Sequence, residues 1–508
     1  MSNTQTIAKN TGWSSVDQIV NALVAFISSI AIARYLGPSK TGYIVFVSYV
    51  AGVVVSLGAL GIPATTRKYM AEFIGKGDKA TARYIFFRTF AMQICLATVA
   101  TAGILIWVYR AGDPQYRTAA VLILLSIWPS MVNAIPAQAN VATENFAVNI
   151  PGSLSGAVVY LTMILMTAKL GWGVDGIGMA TLLMRTVDFL VRFFPTIRRV
   201  TRWDAGHGLP EGLRDRMISY AWQSVTILLL SLIVWERSEV VLLKLLCQDI
   251  RQVAFYSIGF SLGNYLLLSS TVFGSASSAT IFAQFGRDRS RLPGLTATAF
   301  RYLALTSIPL HAIAAALAVP ALLLLYGKPY YGAALVVTIA PLLCLPKAFL
   351  SPVQSLLQCT EKQKWVIAAT VFAGIVDWSV AAALIPFLGA AGACIGSGVA
   401  QITAVGIMWT IAMRGYGVKL PWGLLAKVIV ISLAASLSAY FVSLHMAPLW
   451  ALVCGGSTAL AVLMALFYFG RVLEPQDLDR VRIAAGMLPQ RIADPVNKFM
   501  SVIWSVRL

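Results

Sequence analysis

Charge is scarce in this sequence. Asp, Glu, Lys and Arg make up 12% of its 508 residues, about half the share usual in a soluble domain. With 58% hydrophobic residues and a mean hydropathy of +0.77, that scarcity excludes water as the main solvent of the folded chain. Long polar stretches are lacking as well, so the pattern is not that of soluble domains joined by linkers. No Walker A sequence occurs and no gap could hold an ATPase domain, which excludes direct use of ATP unless a partner supplies it. The six cysteines, Cys95, Cys247, Cys344, Cys359, Cys394 and Cys454, are scattered without a CxxC and imply neither disulfides nor zinc. His207, His311 and His445 are far apart and fit no ligand motif. No metal and no cofactor is expected.

What charge there is comes to +19. Nucleic acid is not the implied partner, because no basic stripe with aromatic or groove-reading motifs accompanies it. Lys and Arg fall instead between apolar runs. A run of about 20 apolar residues spans the hydrocarbon as a helix, since unpaired backbone groups are not tolerated there. Fourteen such runs are expected: 12–33, 41–62, 88–109, 118–141, 149–168, 176–195, 217–238, 253–280, 301–326, 333–357, 365–386, 392–413, 423–443 and 450–470. The A-x-A at Ala31, Ile32 and Ala33 is not a signal-peptidase site, because the run before it carries Asp17, Gln18 and Asn21 and is long enough to span.

Assigned alternately, one side collects Arg67, Lys68, Lys76, Lys79, Arg83 and Arg88, then Arg198, Arg199, Arg202, Arg214 and Arg216, then Arg287, Arg289 and Arg291. The other side holds Arg34, Lys40, Arg110, Arg117, Lys169, Lys244, Arg251 and Lys328. The positive-inside rule then puts both termini in the cytoplasm. In the tail, 471–508, Val496, Phe499, Met500, Ile503 and Trp504 fall near one face of an interfacial helix; a frayed, solvated tail is the equal alternative.

The chain also matches itself at a displacement of roughly 215 residues, the weak self-similarity found in transporters. Gly173-Val174-Asp175-Gly176 recurs as Gly389-Ala390-Ala391-Gly392, Pro136-Ala137-Gln138 as Pro352-Val353-Gln354, Thr143-Glu144 as Thr360-Glu361, and Ala71-Glu72-Phe73 as Ala283-Gln284-Phe285. Six helices fit in that displacement, so the copies insert in the same orientation. The expected fold is an all-α polytopic membrane protein of about 14 transmembrane helices. It has two six-helix pseudo-symmetric lobes, 1–200 and 217–414, joined by a cytoplasmic linker, 201–216. Two C-terminal helices follow in 415–470.

Ionisable groups inside spans are costly and therefore candidates for function. Helix 1 carries Ser14, Gln18, Asn21 and Ser28 at helical spacing with Asp17 beside them, as in a wall facing a hydrated cavity; packing through polar residues is the competing explanation. Arg185 and Asp188 lie three residues apart, where an intrahelical ion pair would neutralise both without any function. Lys347 follows Pro346 and has no acidic residue within a turn, which favours a place in the lumen. Asp17, Asp188 and Asp377 are the candidates for coupling to an ion gradient. Glu236 and Arg237 are expected at the outer interface, where snorkelling is cheap, and His311 as a polar core residue.

Four stretches carry a resemblance: Ala33-Arg34-Tyr35-Leu36-Gly37-Pro38 with Gly42-Tyr43, Ala254-Phe255-Tyr256-Ser257, Leu325-Tyr326-Gly327-Lys328-Pro329-Tyr330, and Gly389-Ala390-Ala391-Gly392-Ala393. They resemble the polysaccharide transporter (lipid-linked oligosaccharide or O-antigen flippase) family of the multidrug/oligosaccharidyl-lipid/polysaccharide exporter superfamily. The chain departs from that pattern at Glu236-Arg237-Ser238-Glu239, where relatives often have a small residue and Asp. The resemblance implies a V-shaped pair of bundles in the bacterial inner membrane. Its cargo would be an undecaprenyl-diphosphate-linked oligosaccharide carried from the cytoplasmic to the periplasmic leaflet, with membrane lipids and a polysaccharide polymerase as partners. Arg185 and Lys347 would then meet phosphate, Asp17, Gln18 and Asn21 the sugar hydroxyls, and Arg34 the outer gate or its turn. The alternatives are a cation-coupled multidrug exporter of the same superfamily and a membrane glycan polymerase or ligase. The latter usually needs a sizeable outer loop, and the outer gaps here are short.

Overall fold

Inside a bilayer each crossing segment has to close its own backbone hydrogen bonds, and every regular element among the described residues is helical. A computed structural model describes residues 3–111, 114–205 and 208–472, with side chains from Val20 on apart from a few helical positions. The expected interfacial helix at 496–504 lies outside the described residues. The helices are α1 (Asn3–Gly58), α2 (Ile62–Gly75), α3 (Lys79–Ala111), α4 (Arg117–Leu125), α5 (Ile127–Ala142), α6 (Asn149–Leu170), α7 (Gly173–Val200), α8 (Leu213–Val234), α9 (Glu239–Leu246) and α10 (Arg251–Leu266). After these come α11 (Leu268–Arg287), α12 (Leu292–Ala316), α13 (Ala318–Leu325), α14 (Ala334–Ala348), α15 (Leu350–Cys359), α16 (Gln363–Leu388), α17 (Ala390–Tyr416), α18 (Trp422–Ser443) and α19 (Pro448–Phe469).

Among the described residues, ten helical stretches are long and apolar enough to cross a membrane. The difference from the expected fourteen has four sources. The first two expected spans form one helical run, bent where Gly37 takes φ 75°, ψ 174° ahead of Pro38. The expected span 176–195 lies on α7, which carries Arg185, Asp188 and Arg192, and that at 253–280 is interrupted at Leu267 between α10 and α11. The span at 217–238 lies on α8, some of whose side chains are not among the described ones.

The chain forms two compact units. The first comprises the chain up to Ile258 with Tyr326–Ala333 and Ala373–Ser397. Its core is aliphatic and aromatic: Ile123, Ile127 and Met131 with Ala97 and Ile177, then Met70, Phe86 and Ile135. Helices here approach through small residues, as expected where lipid supplies no hydrophobic drive for association. At Gly61, between α1 and α2, φ is +69° and a Cβ would lie 2.4 Å from the Ala221 carbonyl oxygen of α8, so only glycine fits. Arg83 of α3 donates to the carbonyls of Thr201 and Trp203, tying α3 to the start of the expected linker. The second unit takes Gly259–Leu325, Ala334–Phe372 and the chain from Gly398. In it α18 packs on α12 and α19 on α13, where Leu317 meets Ala439 and Ala459.

Several local structures recur. The pair α4–α5 runs from Arg117 to Ala142, and α14–α15 from Ala334 to Cys359, 217 residues later at both ends. Each pair ends in a non-glycine left-handed residue, Glu144 (φ 55°) and Glu361 (φ 61°). The closing bonds correspond, Asn145 N–H to Asn140 O (2.9 Å) and Lys362 N–H to Leu357 O (2.8 Å). The Thr143 hydroxyl accepts from Arg199 at 3.1 Å, and that of Thr360 lies 2.6 Å from the Tyr416 hydroxyl. Gly173 N–H donates to the Tyr35 hydroxyl and Ala390 N–H to Gln252 Oε1, both at 3.0 Å.

Asp78 precedes α3 and accepts from the Thr81 N–H (2.9 Å) and hydroxyl (2.6 Å), which holds its carboxyl below the usual carboxylate value. A group depressed in this way stabilises the fold above its ordinary value, and the contribution disappears as pH falls through the lowered one. Thermal unfolding of Asp78→Asn alongside the native chain checks this. The native chain is expected to be the more stable at neutral pH, with the gap closing below about pH 4.

Candidate functional site

On α7, Arg185, Asp188 and Arg192 stand three and four residues apart and so share one face. That face is met by α5, which brings Ser130, Asn133 and Ala137, and by α6, which brings Ser153. Asn21 of α1 completes a polar cavity of about 350 Å³ within the first unit. Gly152 of α6 makes room for the Asp188 and Arg192 side chains: a Cβ there would lie 2.7 Å from both Asp188 Oδ1 and Arg192 Cγ.

Asp188 is 8% exposed and firmly held. Arg192 approaches its Oδ1 at 2.9 Å, Asn133 Nδ2 donates to its Oδ2 at 2.8 Å, and Arg192 also donates to the Ser153 hydroxyl. The expected partner of Asp188 was Arg185, three residues before it. Arg192 replaces it because a basic residue four positions C-terminal to an acid is the better helical pairing, and the flat surface at Gly152 lets its stem lie down. Arg185 is therefore left as an exposed guanidinium lining the cavity, with no ion pair among the described residues. Asn133 Oδ1 also has no partner among them. Two arginines against one aspartate give the described lining an excess of one positive charge.

A polar ladder continues along the same helices. The Thr196 hydroxyl donates to Asn140 Oδ1 at 3.1 Å and Asn140 Nδ2 to Asn149 Oδ1 at 3.0 Å. Buried amides in apolar helices need such partners, and here they join the cavity to Thr143 and Arg199 at the helix ends.

A second polar cluster of the first unit was only half visible in the sequence. Glu239, at the start of α9, and Asp377 of α16 are both 0% exposed. The Tyr256 hydroxyl donates to Glu239 Oε2 at 2.7 Å, and the carboxyl of Asp377 and the hydroxyl of Ser397 face the same carboxylate. Neither acid forms an ion pair among the described residues. Glu239 Oε1 and both carboxylate oxygens of Asp377 have no hydrogen-bond partner among the described residues, and two buried acids left so are suited to a proton or a bound cation. In the sequence Glu239 is masked by its neighbours Glu236 and Arg237, which read as an interfacial charge group. Arg237 instead reaches Ser257 at 2.8 Å. An acid in the first turn of a short helix was the one available signal.

The remaining candidates are not among the residues of these clusters. Lys347 belongs to the second unit, half-buried on α14 before the break at Phe349. Arg34 is exposed between two anchored neighbours: the Ala33 carbonyl accepts from the Tyr330 hydroxyl at 3.1 Å, and the Tyr35 hydroxyl is the acceptor for Gly173. The side chains of Asp17 and Gln18 lie outside the described residues. His311 is buried, with Nδ1 2.7 Å from the Ser307 carbonyl.

Residues 31–335 match a family described as "Polysaccharide biosynthesis protein". No curated protein sequence matches the chain. Among solved structures it is similar to the lipid II flippase MurJ in an inward closed conformation, with 12% identity over 90% of this chain and 99% of that one and a TM-score of 0.72. It is also similar to an inward-facing multidrug resistance MATE family transporter of the MOP superfamily (16% identity, 78% and 95% covered, TM-score 0.66). A mutant of the Vibrio cholerae MATE transporter VcmN follows at 14% identity, 82% and 99% covered, and a TM-score of 0.59. At these identities the likeness is one of fold.

Substituting Gly152→Ala is expected to destabilise the protein by about 1–3 kcal/mol through overpacking against the Asp188–Arg192 pair. Gly103→Ala, with nothing within 4 Å of the new Cβ, is expected to be neutral or slightly stabilising. Thermal midpoints in one detergent decide it; equal midpoints for Gly152→Ala and the native chain would show that α6 and α7 do not meet there.

Proposed function

The chain belongs to the polysaccharide biosynthesis protein family and has the fold of multi-pass MOP-superfamily transporters, and from that premise we propose that it is a flippase. Its cargo is an undecaprenyl-diphosphate-linked oligosaccharide, carried by alternating access from the cytoplasmic to the periplasmic leaflet of the bacterial inner membrane. Both termini are cytoplasmic in this reading, and a polysaccharide polymerase receives the product.

One observation carries the proposal. Within helices that are otherwise apolar, the α5–α6–α7 cavity keeps Arg185 free of any acidic partner among the described residues, while Arg192 is paired with Asp188. Charge at membrane depth is costly and is retained where a hydrated path or a counter-charge needs it. A diphosphate is the counter-charge that suits a guanidinium fork, while the amide and hydroxyls of Asn21, Asn133 and Ser130 suit sugar.

The recurring geometry supports two copies of one bundle, 1–200 and 217–414, inserted in the same orientation, with 415–470 outside the repeat. In that register Lys347 takes the place of Ser130, which lines the cavity of the first copy. A lumen role for Lys347 follows from this correspondence. Asp188 is committed to Arg192 and Asn133, so the exchangeable ion is assigned to Glu239 and Asp377 instead. A cation-coupled multidrug exporter is the second reading, and that buried acid pair is what favours it. Nothing comparable favours a polymerase or ligase.

Complementation of a deletion strain, with lipid-linked glycans analysed by leaflet, tests the cargo. Arg185→Gln and Lys347→Gln are each expected to cut flipping at least tenfold and leave glycan on the cytoplasmic leaflet. Unchanged glycans together with altered drug tolerance would transfer the assignment to the exporter. For coupling, Glu239→Gln and Asp377→Asn are each expected to abolish the dependence of vesicle transport on a proton or sodium gradient. Transport that ignores both gradients in the native protein removes the coupling role.

A further inference from the structure

Arg88 takes no part in either cluster described above. It is exposed on α3 and makes no hydrogen bond or ion pair with the described residues. The 21 residues from Thr89 to Tyr109 are uncharged before Arg110. The two arginines are thus about 33 Å apart along the helix, close to the thickness of the hydrocarbon core. Arg88 therefore stands at the level of the lipid phosphates on one face of the membrane.

An apolar cleft of about 530 Å³ opens beside it, within the first unit. Met92 and Leu96, four and eight residues on from Arg88, continue the same face of α3. Ile218 and Trp222 of α8 form the opposite wall, and Leu60 closes one end. Trp222 is 64% exposed, an amphipathic ring of the kind that sits at the membrane interface. Leu60 holds φ +46°, a strained conformation for a branched side chain, beside the Gly61 contact with α8. A cation at headgroup depth with an apolar slot running from it towards the membrane centre is complementary to a phosphate ester bearing an acyl chain.

We propose that this cleft is a specific site for an anionic phospholipid, its phosphate on Arg88 and one acyl chain between Met92, Leu96, Ile218 and Trp222. An anionic headgroup is preferred because a choline cation on the same phosphate would compete with the guanidinium. The lipid joins α3 to α8 at the break between α1 and α2, a role distinct from carrying cargo.

The full-length protein, titrated with phosphatidylglycerol or phosphatidylcholine of identical chains and read by native mass spectrometry, tests this. The native chain is expected to hold one phosphatidylglycerol about fivefold more tightly than phosphatidylcholine, as one basic residue near a membrane surface contributes. Arg88→Gln is expected to lose that preference and Arg110→Gln, outside the cleft, to keep it. Independently of any variant at Arg88, brominated phosphatidylglycerol should quench the native chain more than Trp222→Phe. A preference that survives Arg88→Gln, or is lost equally in Arg110→Gln, overturns the site, as does equal quenching in the two chains. Displacement of the bound phosphatidylglycerol by an equimolar amount of undecaprenyl phosphate assigns the cleft to a prenyl chain and overturns the phospholipid assignment.

Discussion

Hydrocarbon does not tolerate a bare charge, and the interior of this protein is organised by the ways it meets that constraint. Asp188 is closed off by a guanidinium and an amide at 2.9 and 2.8 Å. Glu239 and Asp377, wholly buried, keep three carboxylate oxygens without a hydrogen-bond partner among the described residues and are suited to a proton or cation. Arg185 does neither, and borders a cavity instead. The three solutions have different chemical consequences. A fully paired acid is structural, a carboxyl pair is poised to exchange an ion, and a wet guanidinium can receive an anion.

These arrangements depend on small residues as much as on charged ones. Gly152 lets the stem of Arg192 lie against α6, and without that space the arginine could not turn back to Asp188. Arg185 is released for the cavity because Arg192 has taken its acid. A packing detail of one helix pair thus decides which cation is free, and the proposed flippase chemistry follows from that choice.

Much of the architecture was legible in the sequence because hydrocarbon imposes simple rules on composition and length. The helical, many-pass character follows from apolar run lengths, and the family from turn motifs such as Ala33–Pro38. Thr143-Glu144 recurs as Thr360-Glu361, and both glutamates take the left-handed conformation just beyond a helix end. Ion pairing was less legible. Spacing alone offered Asp188 a partner at Arg185, whereas packing against α6 selected Arg192. Glu239 was hidden for a related reason: its acid partner lies 138 residues away on α16 and its donor on α10, a contact that no local pattern encodes.

The central claim is that the α5–α6–α7 cavity receives the diphosphate of a lipid-linked glycan at Arg185. A photoreactive amino acid placed at Ala137, which lines the cavity with Arg185 intact, with radiolabelled undecaprenyl-diphosphate oligosaccharide as the probe in native membranes, tests it most directly. Labelling at 137 that is lost when Arg185→Gln is added, and none from the same group at Val99, an exposed apolar position of α3, is the expected result. Equal labelling at 137 and 99, or none at 137 while transport proceeds, would contradict it.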